Sequence, residues 1–211
     1  DEVAFTVICD HGGKPTFKGY PGPYPYPATL TVSVNHEMVH GIPSGRVLHE
    51  GDIVSVDCGT TLNGFIGDSA FTVAVGEISE EAKRLIEVTE QSLAKGIAQM
   101  RLGNRLGDIS FAIQQYVENH GFHVPRQYTG HGVGREMHEP PQVPNFGTKG
   151  TGMVLEEGLT LALEPMVLVG TPHTCVLADK WTVVSRDHTL TAHFEHTIAV
   201  TDDEPLILTC L

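Results

Sequence analysis

Apolar positions along this chain recur with two different periods. A proline-rich loop, GYPGPYPYPATL, contains too many prolines to form a helix. It is followed by three β-rich runs, TVSVN, DIVSVDCG and FIGDSAFTVAV. After Gly76 the apolar positions recur at helical spacing, and Ser79 is placed to cap that helix. A second amphipathic helix is predicted to begin near Asp108 and to end at Gly121. Strand-like runs then return, so the pattern predicts an α+β chain with two helices between two sets of strands.

An Asn-Gly pair at positions 63–64 separates two of the β-rich runs and predicts a two-residue hairpin turn. With that pair in the turn, Asp57 lies opposite Ala70, and Asp68 lies opposite Gly59. The two carboxylates then share one face of the hairpin as diagonal neighbours, roughly 7–8 Å apart. At that separation they can reach one metal ion or two adjacent ions.

Acidic and histidine residues inside apolar or glycine-bounded segments suggest a metal site. These residues are Asp57, Asp68, His131, Glu164 and Glu195. A carboxylate buried in such a run needs a cation, a proton or several hydrogen-bond donors. Taken singly, each acidic residue has a simpler interpretation, such as a strand-end cap, a sheet-edge charge or a solvated loop residue. Taken together, the five favour a two-metal site and make hydrolysis the leading hypothesis.

Composition narrows the class of protein further. Of 211 residues, 40% are hydrophobic and 18% are charged, which indicates a globular domain with a sizeable core. The formal net charge of -13, with only 13 Lys and Arg residues, argues against a nucleic-acid surface. No apolar stretch is long enough to span a bilayer. Because Cys9, Cys58, Cys175 and Cys210 show no paired spacing, we expect reduced thiols and a cytoplasmic setting.

A set of strings in chain order carries a resemblance to a known family. NHEMVHGIP, DIVSVDCG, FIGDSAF, TGHGVG, MHEPPQVP, LEPMV and FEHTIAVT cover the chain from about Asn35 to its end. They resemble type I methionine aminopeptidases, because the short run from His138 to Glu164 leaves no room for the insertion of type II relatives. The resemblance implies the pita-bread fold, with two pseudo-symmetric halves of antiparallel sheet and flanking helices around a dinuclear metal centre. We therefore expect one catalytic domain over residues 1–211, with the family's N-terminal segment missing ahead of Asp1.

The resemblance also implies a role for each metal-site residue. Asp57 would bind one ion, His131 and Glu164 would bind the other, and Asp68 and Glu195 would bridge the two. Glu164 would also carry a proton from the attacking water to the leaving amine. This ligand set is rich in oxygen, so it suits two divalent ions of Co, Mn, Fe or Zn, with the native identity left open.

Further residues are implied to contact the substrate. His40 and His138 would contact the substrate amide and the tetrahedral intermediate. Tyr20 and Trp181 foremost, and then Tyr24 and Tyr26, would form walls of the methionine pocket, with plain core packing as the alternative for all four. Two other histidines are not expected to contact the substrate. His193 is interpreted as a surface or packing residue, and His196 as a neighbour of the expected ligand Glu195.

Two pocket positions depart from the family pattern. Met137 stands where type I enzymes commonly have an aromatic residue, just before the histidine matched by His138. Val39 stands where many bacterial members have Cys. Both positions border the side-chain pocket. Because Met137 makes the pocket wall more deformable than an aromatic residue would, we expect looser discrimination against Leu and norleucine at the first substrate residue.

The implied activity is removal of the initiator Met from nascent proteins and peptides with a small second residue. One alternative is an Xaa-Pro aminopeptidase of the same fold, which would differ around HEMVHGIP and MHEPPQVP. The other is a non-catalytic protein-binding module, which would lose ligands. The expected partners are a peptide or nascent N terminus that begins with Met and, through the family role, the ribosome. We expect no nucleic-acid or membrane partner and a monomeric protein.

Overall fold

Three helices and fourteen strands make up the regular structure of residues 1–210, the part of the chain that the structure, a computed structural model, describes. The helices are α1 (Glu2–Asp10), α2 (Glu80–Ile97) and α3 (Leu106–Asn119). The strands are β1 (Lys14–Pro15), β2 (Thr31–Val34), β3 (Glu37–Val39), β4 (Ile53–Leu62), β5 (Phe65–Ala74), β6 (Thr129–Gly132), β7 (Glu139–Pro144), β8 (Thr160–Leu163), β9 (Met166–Leu168), β10 (Thr174–Val176), β11 (Val183–Ser185), β12 (Thr191–His193), β13 (His196–Ala199) and β14 (Leu206–Ile207).

The two predicted helices are present. Ser79 caps α2, because its hydroxyl accepts a hydrogen bond from the Ala82 N–H at 3.2 Å. α3 begins at Leu106, two residues before the predicted start at Asp108, and its N-cap residue is Arg105. The Asp108 carboxylate accepts a hydrogen bond from the Arg105 N–H at 2.8 Å and so stabilises this start.

One helix, α1, was not predicted. Its segment, EVAFTVICD, contains β-branched residues that weaken a helical pattern. A tertiary contact fixes its start, because the Asp1 carboxylate accepts from the N–H groups of Thr29 and Leu30 at 2.8 and 3.0 Å. Within residues 1–210, none of the helices is long and apolar enough to cross a membrane.

The hairpin of β4 and β5 has the predicted register. Asp57 pairs with Ala70 and Gly59 pairs with Asp68, which confirms that the two carboxylates are diagonal neighbours. The turn residues at 63 and 64 have φ values of 52° and 81°, as a two-residue turn with two left-handed positions requires.

Two of the four antiparallel sheets in residues 1–210 form the two sides of the site. In one sheet β4 is central, with β1 and β2 along one edge and β5 along the other. In the other, the order is β14-β13-β8-β6-β7. The two sheets are joined where the Glu195 N–H donates to the Ala70 carbonyl at 2.8 Å. This bridge brings an acidic residue of the second half against the acidic hairpin of the first.

The inner face of β4 runs from the core to the site. Ile53 packs with Leu85 of α2 in a buried apolar cluster, and Ser55, two residues on, hydrogen-bonds Thr72 of β5. Asp57 follows on the same face, because side chains alternate along a strand. The helices therefore cover the apolar end of the hairpin and leave its acidic end at the centre of the molecule.

Candidate metal centre

Five side chains of metal-ligating type converge on one cavity between the two sheets. They are Asp57 of β4, Asp68 of β5, His131 of β6, Glu164 directly after β8, and Glu195 between β12 and β13. His131 Nε2 lies 3.7 Å from Asp68 Oδ2 and 3.5 Å from Glu164 Oε1. One ligand atom from each of Asp68, His131 and Glu195 falls within 4.8 Å of the others. These distances suit atoms that share a cation, so the sequence-predicted ligands lie together in space.

Burial makes the four carboxyl groups resist ionisation. Burial raises the pKa of Asp68 to about 7. Burial, followed by the negative charges of Asp68 and Glu164, raises the pKa of Asp57 well above its usual value. The pKa values of Glu164 and Glu195 are raised for the same two reasons, burial first and the Asp68 carboxylate second. Four such groups ionise together only when positive charge is placed among them.

The donor set fits divalent cations by its chemistry. Asp57 Oδ1, Asp68 Oδ1 and Glu195 Oε1 are buried and have no hydrogen-bond partner among residues 1–210. Oxygen atoms of this kind need a proton or a cation. The His131 Nδ1 atom lies 2.9 Å from the Gly132 carbonyl, which places its proton there and leaves Nε2 free to bind an ion. Burial also lowers the pKa of His131 to about 4, so the ring is neutral, as a ligand must be.

His193 is part of this cluster, although the sequence pattern gave it only a surface or packing role. It is 2% exposed, and its Nε2 lies 3.5 Å from Glu164 Oε2 and 4.0 Å from Glu195 Oε2. A signal existed in the sequence, because residues two apart in an extended segment face the same side. By the same alternation His196 turns away from Glu195, and its Nδ1 lies 2.8 Å from Thr209 Oγ1.

Two further histidines face the cavity without joining the carboxylates. His138 has its ring centroid 4.3 Å from that of His131, and its Nδ1 lies 2.5 Å from the Tyr20 hydroxyl. His40 has a positive φ of 61°, which turns it into the cavity. Burial, and then the neighbouring His138, lower the pKa of His40 to about 4, and burial lowers that of His138. Both rings are therefore neutral near pH 7.

An apolar pocket adjoins the acidic cluster. The predicted wall residues Tyr20, Trp181 and Met137 line it, and so do Phe17 and Tyr26. Trp181 packs edge-on against Tyr26, with ring centroids 5.1 Å apart. The whole cavity, with the acidic cluster included, has a volume of about 130 Å³, smaller than the roughly 300–1,000 Å³ of sites for drug-sized ligands. The apolar part is smaller still, so it suits one side chain and not a larger ligand.

Sequence analysis missed part of this pocket. Phe17 was not singled out, because no motif contains it, and its role depends on close approach to Gly59. A Cβ atom on Gly59 would lie 2.6 Å from the Phe17 ring, so only glycine allows that packing. Tyr24, by contrast, is 39% exposed and does not line the pocket.

The fold and the acidic site are those of a metallopeptidase. The chain belongs to metallopeptidase family M24, whose model matches residues 4–202. It is 53% identical to a methionine aminopeptidase of Clostridium acetobutylicum over 99% of this chain and 83% of the relative. It is 52% identical to methionine aminopeptidase 1 of Bacillus subtilis, over 99% and 83% of the two chains.

A solved structure gives the same answer for the fold. The crystal structure of methionine aminopeptidase from Thermotoga maritima matches with a TM-score of 0.95 and 50% identity, over 98% of this chain and 82% of that chain. The pita-bread fold expected from the sequence is therefore confirmed.

Proposed function

We propose that this chain is a metal-dependent aminopeptidase that removes an N-terminal Met from peptides and nascent proteins with a small second residue. One observation carries the proposal: a single cavity holds five ligand-type side chains, two neutral histidines and an apolar pocket. Relatives at 53% and 52% identity that bear the name methionine aminopeptidase support it.

Two divalent ions are proposed for the acidic cluster. Asp57 would hold one ion, His131 and Glu164 would hold the other, and Asp68 and Glu195 would be shared by both. Two cations offset four carboxylates that burial otherwise keeps protonated. When bound, the ions polarise the scissile carbonyl and acidify the attacking water. Co, Mn, Fe and Zn all suit these ligands, so the choice of native ion follows cellular supply.

The side chains around the cluster handle the substrate and its protons. Glu164 has a raised pKa, so it can take a proton from the attacking water and return it to the leaving amine. His138 and His40 are neutral and donate hydrogen bonds to the scissile amide and to the oxygen that gains charge. The Tyr20 hydroxyl lies 2.5 Å from His138 Nδ1 and orients that ring.

The apolar pocket sets the first-residue preference. An unbranched Met side chain fills a space lined by Phe17, Tyr26, Met137 and Trp181, and its sulfur gains from contact with aromatic edges. A side chain shorter by one methylene loses only about 1–3 kcal/mol, so discrimination is modest. Beyond the scissile bond, His138 and the metal ligands crowd a bulky second residue.

The setting of the enzyme is part of the same proposal. We expect it to act in the cytoplasm, as a monomer, on N termini that emerge from the ribosome. A net charge of -13 disfavours direct binding to nucleic acid.

Peptide cleavage with and without chelator tests the proposal. Chelated protein should lose activity on Met-Ala-Ser, and added Mn²⁺ or Co²⁺ should restore it. Met-Ala-Ser should be cut faster than Met-Lys-Ser. Cleavage of Xaa-Pro peptides in preference to Met-Ala-Ser would indicate the Xaa-Pro aminopeptidase instead. Failure to cleave any of the peptides with either ion would favour the non-catalytic module, and turnover undiminished by chelation would refute the metal mechanism.

A further inference from the structure

The backbone of His193 is fixed by two hydrogen bonds to one hydroxyl group, that of Thr72. Its N–H donates to Thr72 Oγ1 at 2.9 Å, and the same hydroxyl donates to the His193 carbonyl at 2.8 Å. Ser55 Oγ lies 2.8 Å from Thr72 Oγ1 and completes a buried polar chain from β4 through β5 to β12. The His193 side chain therefore projects from a fixed point, as is required of a residue that orients a neighbour.

The two carboxylate oxygens of Glu164 face different histidines. Oε1 lies 3.5 Å from His131 Nε2, and Oε2 lies 3.5 Å from His193 Nε2. The second distance exceeds the usual N–H···O range of roughly 2.7–3.2 Å by only a few tenths of an ångström. A small rotation of the Glu164 carboxyl group closes it. His193 Nε2 is buried without a hydrogen-bond partner among residues 1–210, so Glu164 is a partner within reach.

The two histidines differ in where the ring carries its proton. The Gly132 carbonyl, 2.9 Å from His131 Nδ1, holds the His131 proton there and frees Nε2 for a cation. The hydrogen bonds among residues 1–210 provide no such acceptor at His193 Nδ1. His193 Nε2 instead faces carboxylate oxygens of both Glu164 and Glu195. A nitrogen that faces two acceptors is the one that carries the proton.

We propose that His193 is a positioning residue that donates a hydrogen bond from Nε2 to Glu164 Oε2. The bond leaves Oε1 directed toward the space shared with His131 and stops the carboxyl group from turning away from it. The inference rests on the proposed function, because it concerns the metal centre of that same site. Partners of this kind, one step removed from the ion, contribute about 10–100-fold to metal affinity or activity.

A matched pair of substitutions tests which ring nitrogen matters. Gln places its amide nitrogen near the position of imidazole Nε2, whereas Asn, one methylene shorter, places it near Nδ1. Chelator-treated H193Q and H193N are titrated with Co²⁺ alone by calorimetry. We expect H193Q to keep Co²⁺ affinity within about threefold of the parent and H193N to lose about 10–100-fold. With Met-Ala-Ser, kcat should follow the same order while KM changes little.

The other outcomes overturn the proposal. An equal loss in H193Q and H193N means that the imidazole itself binds the ion or that ring packing matters, and no loss in either means that Glu164 is held without His193. H196Q is the control, because His196 faces Thr209 on the other side of the segment, and its Co²⁺ affinity should equal that of the parent. Thermal unfolding of the metal-free variants reports whether each one folds. The Co²⁺ titration needs no peptide. A parent protein that binds Co²⁺ but cuts no Met peptide would therefore contradict the proposed peptidase activity and not the role of His193.

Discussion

Replacing Asp68 with Asn is expected to stabilise the metal-free protein at alkaline pH. Burial raises the pKa of Asp68 to about 7, against 3.8 for the free side chain. A carboxyl group with a raised folded-state pKa contributes stability that is fully present below its unfolded pKa and is lost as pH rises through the folded pKa. The metal-free parent should therefore become less stable between about pH 4 and pH 7.

The size of this effect follows from the difference between the two pKa values. The difference between 3.8 and about 7 is about 3, and one pKa unit corresponds to about 1.4 kcal/mol. Ionised Asp68 therefore lowers the free energy of unfolding by about 4 kcal/mol near pH 8. Asn keeps the shape of the side chain and does not ionise, so its gain at pH 8 corresponds to an increase in Tm of about 8–16 °C. Near pH 4 the gain should vanish.

Calorimetric unfolding of chelator-treated protein at pH 4, 6 and 8 measures this gain. D10N, the same change at an exposed position at the end of α1, is the control. Its Tm should equal that of the parent at each of the three pH values. Added Co²⁺ should raise the Tm of the parent at pH 8 by mass action but not that of D68N, which lacks one of the two ligands proposed to be shared by both ions. A metal-free parent that is as stable at pH 8 as at pH 4, with no gain from D68N, would refute the idea that burial raises the pKa of Asp68.

Three other substitutions separate the roles of the site residues. H131A should lose Co²⁺ affinity in titrations, whereas H138A should retain it and lose kcat, and identical titrations would contradict the distinction. M137F should sharpen discrimination between Met-Ala-Ser and Leu-Ala-Ser, measured as a ratio of kcat/KM, and an unchanged ratio would show that this position does not shape the pocket. G59A should raise KM for Met-Ala-Ser about tenfold, a cost of about 1.4 kcal/mol, because the new Cβ forces Phe17 into the pocket. An unchanged KM would show that Phe17 does not limit the space.

Local features of the site could be predicted from the sequence. The register that makes Asp57 and Asp68 diagonal neighbours follows from a two-residue Asn-Gly turn, whose backbone preference fixes which residues pair. The start of α2 follows from the Ser79 cap. Both are short-range effects, in which neighbouring residues alone decide the geometry.

Local sequence marks Glu164 and Glu195 as candidates, but their place beside the acidic hairpin could be inferred only through resemblance. Glu164 and Glu195 are far from the hairpin along the chain, and no local rule says that Glu195 pairs its backbone with Ala70. The wall residue Phe17 depends on the missing side chain of a residue more than forty positions away, Gly59. Such contacts form by packing between elements, which a period or a turn motif does not encode.

The sequence by itself determined the acidic hairpin, its register and the identity of the residues able to bind metal, because turn preference, strand alternation and side-chain chemistry are local properties. Tertiary structure alone decided the environment that gives those residues their chemistry. Burial between two sheets raises the carboxyl pKa values and lowers those of His40 and His131. Tertiary packing also places His193 next to Glu164. The physical reason is desolvation, which depends on how completely the rest of the chain excludes water from a group and not on the residues beside it.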